Sequence, residues 1–542
     1  MQTARARGGE TAIGGALALF VLGGAVGVWA SYDRALSWPT FFTLAGSIGL
    51  CLVVARLSGG VRWAAQGLVV AAGLLALYFV GQYGHLDYQA ETGLPAQLGR
   101  FTGAALPAWT PFKPHPNAVA TFLEGALLVG VVIARRGRGG TRLAWGAATA
   151  LIGYALFVSD SRGAWVGIGV AALGWLWLRF PGRGRQGFGA AAGVTVGVAA
   201  GAMVVWSLAG PGEQIPLLSS IFNTANSRFV LYRNSLYLLR DYPFTGLGLG
   251  SAFAMVYSRY QLLINVPYLY YAHNLFLSVW LGQGVLGLLA LVWLLVGFYR
   301  FVAGVERTGL AGEGLSLFRA AWLGATATFV HGLTDSAQFS GAYWTMPVLF
   351  VLVGLALATG RSAAAPPVRV GWKGAAAGGA ALVALAVVFW RPLGGAWFAN
   401  RGALVQTWAD LSPEYGDGAR RAMQARATAD FLRAQTLSPG LAVADRRLGL
   451  LALDRNDFET AVTHLERAFS AEPENQATLK GLGYAYLWAG EVDLAVARFE
   501  AVEFRSRLLG ELGYWRWWWG TQNRPDLAGR AGEALERLAG AG

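Results

Sequence analysis

Charge is scarce in this chain. Of 542 residues only 13% are Asp, Glu, Lys or Arg, where an ordinary soluble domain carries about 25%. Beside a hydrophobic content of 55%, that deficit excludes a wholly water-soluble globular protein and points to lipid as solvent for much of the chain. Cysteine is rarer still. The single thiol, Cys51, lies in an apolar block, so no intramolecular disulfide can form and redox compartment cannot be read. Lysine is nearly missing, with Lys113, Lys373 and Lys480 the only three among 43 basic residues. The net charge of +13 is therefore almost all arginine. Those arginines sit mostly in short connections between apolar blocks and do not gather on one face, which argues against a nucleic-acid partner. Histidine is limited to His85, His115, His273, His331 and His464, which shortens the search for acid–base chemistry.

What the chain has instead is apolar length. About eleven segments reach the roughly 20 residues that a helix needs to cross a bilayer. They lie near Thr11–Ala30, Pro39–Arg56, Val61–Tyr83, Asn117–Ala134, Leu143–Val158 and Ala164–Leu178, then Phe188–Leu208, Asn274–Tyr299, Leu315–Leu333, Tyr343–Ala358 and Gly374–Trp390. The first block follows Arg5 and Arg7 as a signal peptide would, but a second span comes almost at once, so it reads as an uncleaved helix. With eleven spans, the arginine-rich connections alternate onto one side, which makes that side cytoplasmic. Arg5 and Arg7, Arg56 and Arg62, the cluster from Arg135 to Arg142, and the run Arg179, Arg183 and Arg185 all obey the alternation, as do the later Arg300, Arg307, Arg319, Arg361, Arg369 and Lys373. The N-terminus is then inside, and residues 401–542 follow the 1–400 membrane domain on the outer side.

Two outer connections are long, about 85–116 and 210–272, and long loops in compact proteins usually carry function. The second holds an amphipathic helix expected over Asn226–Asp241, with Asn226 or Ser227 as its cap and Pro243 beyond its end. An interfacial helix lying on the membrane is the plain reading of it.

After Asn400 a 34-residue period appears. Ala427, Phe431, Ala434 and Pro439 recur as Ala461, Leu465, Ala468 and Pro473, and Leu448–Gly449 recurs as Leu482–Gly483. This is the spacing of tetratricopeptide-like helix pairs. The fold class expected is therefore all-α: a polytopic helical membrane domain followed by an α-solenoid. Such a stack serves either as a platform for a protein partner or as a cap on the membrane domain.

Chemistry is concentrated in four segments that this topology places outside: "FKPHPNAVATFL" at Phe112–Leu123, "SDSRGAW" at Ser159–Trp165, "NSRFVLYRNSLYLLRDYPFTGLGLG" at Asn226–Gly250 and "YYAHNLFLSVWLGQGVLG" at Tyr270–Gly287. Together they resemble the O-antigen ligase and polymerase superfamily. The H-P-N segment, the S-R-G-A-W turn, the loop arginine followed by D-x-P-x-x-G-x-G, and the A-H-N before a span carry that resemblance, over about Phe101 to Gly354.

The resemblance implies a glycan donor carried on undecaprenyl pyrophosphate, an acceptor hydroxyl on a glycan, lipid or protein, and a bacterial inner membrane. Arginine forks bind two phosphate oxygens and stay charged, so Arg162 and Arg228 are expected to neutralise the pyrophosphate leaving group. His273 is expected as general base. Arg233, Arg259, Lys113, His115, His331, Tyr271 and Asn274 are expected to touch substrate. The outer acids Asp160, Glu213, Asp241 and Asp335 show no metal-ligand spacing, so metal-independent, inverting transfer without a cofactor is expected, with a ligase-type acceptor ahead of a polymerase or a protein glycosylation reaction. A lipid-linked glycan transporter is the rival of another class; transporters show duplicated halves and charges near mid-membrane, and neither is visible here.

Overall fold

A computed structural model of the protein describes residues 7–57, 59–89, 93–103, 107, 112–179, 216–264, 266–307, 310–339, 341–361, 387–503 and 505–540. Among them there is no strand, and twenty helices are present. The first seven are α1 (Arg7–Ala30), α2 (Arg34–Arg56), α3 (Val61–Gly81), α4 (Gly93–Gly103), α5 (Pro116–Arg136), α6 (Gly139–Val158) and α7 (Arg162–Trp177). Then come α8 (Pro216–Leu239), α9 (Ala252–Tyr257), α10 (Leu275–Val305), α11 (Gly312–His331) and α12 (Met346–Gly360). The C-terminal group is α13 (Trp390–Leu411), α14 (Asp417–Leu437), α15 (Ala442–Asp454), α16 (Phe458–Ala471), α17 (Gln476–Ala489), α18 (Val492–Glu500), α19 (Arg505–Thr521) and α20 (Pro525–Gly540).

Seven of the described segments are long and apolar enough to cross a membrane: those of α1, α2, α3, α5, α6 and α10, and the segment Tyr343–Gly360 that contains α12. The expected spans near Ala164–Leu178 and Leu315–Leu333 correspond to α7 and α11. The span expected at Phe188–Leu208 lies outside the described residues, as do Glu213 and nearly all of Gly374–Trp390.

The bundle is built on close backbone approaches at small residues, the contact that holds helices together where lipid removes any apolar driving force between them. Gly27 of α1 lies so near Gly282 of α10 that a Cβ on it would stand 2.3 Å from the Gly282 carbonyl. Gly125 of α5 and Gly324 of α11 meet the same way, as do Gly167 of α7 and the Ala327 carbonyl of α11. Large apolar side chains such as Phe42, Val53, Trp63 and Leu74 stay exposed on the outside of the bundle, a surface that suits lipid and not water.

One span is broken. Gly284 in α10 has φ +65° and ψ −165°, which interrupts the helix. The freed backbone is taken up by the glycine-rich turn that follows α8: the Leu247 amide donates to the Leu281 carbonyl at 2.7 Å, and the Val285 amide donates to Phe244 at 3.3 Å. Irregular backbone at such a depth is tolerable only when another part of the protein satisfies it.

The loop helix differs from expectation. It begins at Pro216 and not at Asn226 or Ser227, so those two residues are interior. Proline is favoured at a first helical position because the missing N–H would have no partner there.

In the C-terminal group the 34-residue period becomes a packing rule. Gly449 of α15 lies against Leu465 of α16, and Gly483 of α17 against Phe499 of α18. A small residue on the first helix of each pair makes room for the large one on the second. Gly402 and Phe431 repeat the arrangement between α13 and α14. The boundary expected at Asn400 thus falls inside α13, which already belongs to the stack.

Candidate active site

Four helix ends meet at one end of the bundle, the starts of α5, α7 and α10 and the end of α11, and the middle of α8 joins them. Each start has a local cause. His115 caps α5, its Nδ1 accepting from the Asn117 amide at 3.2 Å, with Pro116 as first residue. Asn274 caps α10 by accepting from the Leu277 amide at 3.1 Å. Its side-chain nitrogen also donates to the Leu333 carbonyl at 3.0 Å, joining α10 to the end of α11. Asp160 takes φ +50°, turning the chain sharply from α6 into α7. That leaves Arg162 exposed at the first position of α7, with no carboxylate partner among the described residues.

At the centre stands Asp335, buried just past α11. Its Oδ2 accepts from Asn117 Nδ2 at 2.7 Å, and its Oδ1 lies 3.7 Å from His273 Nδ1. Both facing atoms are buried without a hydrogen-bond partner among the described residues. Catalytic hydrogen bonds are often this long before substrate arrives. His273 itself adopts φ +52°, a conformation that costs a non-glycine residue about 1–3 kcal/mol. The surroundings hold it there: Tyr271 lies on its ring at 3.9 Å between centroids, and the Tyr232 hydroxyl donates to its carbonyl at 2.9 Å.

Arg228 completes the cluster from α8. Its charge acts on His115, Tyr232, Tyr271 and His331 alike, and its Nη1 is buried with no hydrogen-bond partner among the described residues. A buried guanidinium nitrogen left unpaired is costly unless something absent from the free protein binds there. The local field is legible in neighbouring groups. Burial, helped by Arg228 and opposed by Asp335, holds the His115 imidazole below its ordinary value. Burial and the Asp335 charge push the Tyr271 phenol well up.

Next to this cluster lies a second, almost fully buried one. His331 Nδ1 is 3.1 Å from Glu124 Oε2, and its Nε2 is 3.4 Å from Ser161 Oγ. Gly163 packs on the same ring; a Cβ there would sit 2.4 Å from His331 Cδ2. The S-R-G turn that carries Arg162 is therefore seated directly on the Glu124–His331 pair.

Of the residues expected from the sequence, His115, Arg228, Tyr271, His273, Asn274 and His331 come together here, with Arg162 at the rim. Three do not join them. Lys113 pairs with Asp87 at 2.7 Å. Arg233 pairs with Glu503 and, at 3.9 Å, Glu474. Arg259 pairs with Asp454 and, at 3.7 Å, Asp410. Sequence reasoning missed Glu124, Asn117, Ser161 and Tyr232, and weighed Asp335 only as a scattered acid. Glu124 carried a signal, since a lone carboxylate inside an apolar span is expensive and so marks a site.

The arrangement offers an imidazole beside a carboxylate, able to take up a proton, and two arginines free to meet an anion. Residues 147–292, which contain Arg162, Arg228, His273 and Asn274, match the O-antigen ligase family, and residues 452–505 match the tetratricopeptide repeat. No curated protein matches the chain. The two matches and the helical architecture support an O-antigen ligase-type membrane region followed by a C-terminal tetratricopeptide region.

Proposed function

We propose that the protein is a membrane glycosyltransferase that moves a glycan from undecaprenyl pyrophosphate to an acceptor hydroxyl, in an O-antigen ligase-type reaction with a lipid A-core sugar as acceptor. The observation that carries the reading is Arg228, whose Nη1 is buried and unpaired among the described residues, in the same cluster as the His273–Asp335 pair and within the family-matched segment. A dianionic pyrophosphate is the ligand such a group suits.

In this reading the acceptor O–H attacks the anomeric carbon of the donor sugar. His273 takes the hydroxyl proton, and Asp335 stabilises the imidazolium that results. The bond from anomeric carbon to pyrophosphate oxygen breaks, its electron pair leaving with undecaprenyl pyrophosphate. Arg228 and Arg162 stabilise the charge that grows on that oxygen. Attack opposite the leaving group inverts the anomeric centre. His115, Tyr271, Asn274 and the Glu124–His331 pair shape and orient this end of the bundle. The end that holds the site and the repeats faces the periplasm, and the arginine-rich connections face the cytoplasm. No metal takes part in this scheme, so transfer continues in EDTA.

Reconstituting the purified protein with an undecaprenyl-pyrophosphate glycan and a panel of lipid, glycan and peptide acceptors tests the proposal. Transfer to a lipid A-core acceptor, falling about 10²–10³-fold in Arg228→Ala as for the loss of one preorganised charge donor, supports it. Transfer only to glycan ends or to peptide hydroxyls moves the assignment to polymerase or protein glycosylation. No transfer to any acceptor, with movement of the lipid-linked glycan across the bilayer, replaces it with transport.

A further inference from the structure

The helix that carries Arg228 is held from the side opposite the site. On α8, Arg228 and Tyr232 are one turn apart and face the cluster, the single Tyr232 O–H shared between the carbonyls of His273 and Leu333, each 2.9 Å away. Arg233, Tyr237 and Arg240 follow the same 3.6-residue rhythm on another face, and that face meets the repeats. Arg233 pairs with Glu503 and Glu474, and Arg240 with Glu472. Just beyond the helix, Asp241 is clasped by Arg446 and Arg447 of α15, the latter at 2.7 Å, while Arg446 also meets Glu472 at 3.0 Å. Asp241, Arg446 and Arg447 are 1% exposed or less. Arg447 lies over the Tyr260 ring at 3.7 Å, and Lys480 donates to the Leu262 carbonyl at 2.7 Å. The inner helices of the stack, α15 and α17, are buried almost throughout. Much of the surface that a repeat protein offers a partner is occupied by this chain's own loop.

We propose that the tetratricopeptide region is a positioning element of the transferase, holding α8 through Arg233–Glu503 and Asp241–Arg446/Arg447 so that Arg228 stands at the site. Arg233 is then a positioning residue acting through Arg228, not a substrate contact. The inference rests on the proposed transfer reaction for its kinetic arm only.

The test uses the full-length protein and the variants Glu503→Gln and Arg233→Met, chosen because these side chains are 22% and 29% exposed and their loss leaves the buried Asp241 cluster intact. Hydrogen exchange of the backbone amides over 229–241 is expected to quicken about fivefold or more in both variants, with the remaining repeats unchanged. In the transfer assay kcat is expected to fall about five- to tenfold at unchanged acceptor KM. Adding Glu503→Gln to Arg228→Lys is expected to cause no further loss, because both act through one guanidinium. Wild-type exchange over 229–241 in both variants overturns the inference. So does a full multiplicative loss in the Arg228→Lys background, or a raised KM in Arg233→Met with Glu503→Gln at wild-type activity, which would make Arg233 a substrate contact. Absence of transfer by the wild type counts against the proposed function, and the exchange measurement then decides the positioning claim alone.

Discussion

Replacing Asp335 by asparagine removes one charge from the centre of the cluster and changes little else in volume. In the proposed reaction His273 gains a positive charge as it takes the acceptor proton, 3.7 Å from Asp335 Oδ1. Two unit charges at that separation interact by roughly 4 kcal/mol at an effective dielectric near 20. A fifth of the His273 side chain is exposed, and the proton is only partly transferred in the transition state, so about half, ~2 kcal/mol, is expected to reach the barrier. That corresponds to a loss of about 30-fold in kcat. Single-turnover transfer in proteoliposomes reads it, with acceptor binding measured separately. Asn117→Ala is the companion variant: it removes the 2.7 Å hydrogen bond to Asp335 but keeps the charge, so its loss is expected to be near fivefold, the cost of a loosened charge-assisted bond. In a His273→Ala background Asp335→Asn is expected to add nothing, since the carboxylate acts on the imidazole. The reasoning is refuted if Asp335→Asn retains wild-type kcat, or if its loss multiplies in full with that of His273→Ala.

Other perturbations follow from particular contacts. Gly284→Ala puts a Cβ 2.1 Å from the Phe244 carbonyl at φ +65°, so a destabilisation of at least ~2 kcal/mol is expected; an unchanged thermal midpoint in detergent would contradict the account of the broken span. Gly163→Ala drives a Cβ into the His331 ring at 2.4 Å. Transfer is expected to fall about tenfold through displacement of the Arg162 turn, as overpacking at this scale costs about 1–3 kcal/mol, and wild-type transfer would show that the turn does not need that seat. His115 has a folded value held below the ordinary 6.5 by burial, so between those two values the unfolded chain binds more protons and stability rises with pH. Acidification from pH 7 to 5 is therefore expected to destabilise the wild type more than His115→Gln, and parallel melting curves across that range would contradict this. EDTA is expected to leave the transfer rate within about twofold; loss of transfer restored by a divalent ion would place the leaving-group role on a metal and not on Arg162 and Arg228.

The local motifs were legible in the sequence for a physical reason. The S-R-G turn, the A-H-N cap and the proline that opens α5 are helix boundaries, and boundaries announce themselves through a few adjacent residues. The 34-residue period was legible because each pair repeats one small-to-large contact, as Gly449 with Leu465 shows. What stayed hidden depends on residues far apart in the chain. Glu124 has meaning only beside His331, 207 positions later, and Asp335 only beside Asn117 and His273. Asp241 reads in the sequence only as one of the scattered outer acids, yet its partners Arg446 and Arg447 come from the repeats, 205 and 206 positions on. The break at Gly284 was invisible for a different reason: a glycine in an apolar run is ordinary in a membrane helix, and only the turn bearing Leu247 shows why the helix opens there.

The most direct measurement of the central claim is release of undecaprenyl pyrophosphate from the lipid-linked glycan by the reconstituted protein, with and without acceptor, in the wild type and in Arg228→Ala and His273→Ala. Acceptor-dependent release by the wild type is expected, with the new glycosidic bond inverted, and loss of release in both variants while the helical fold is retained. Wild-type release in both variants, or a product with retained configuration, would contradict it.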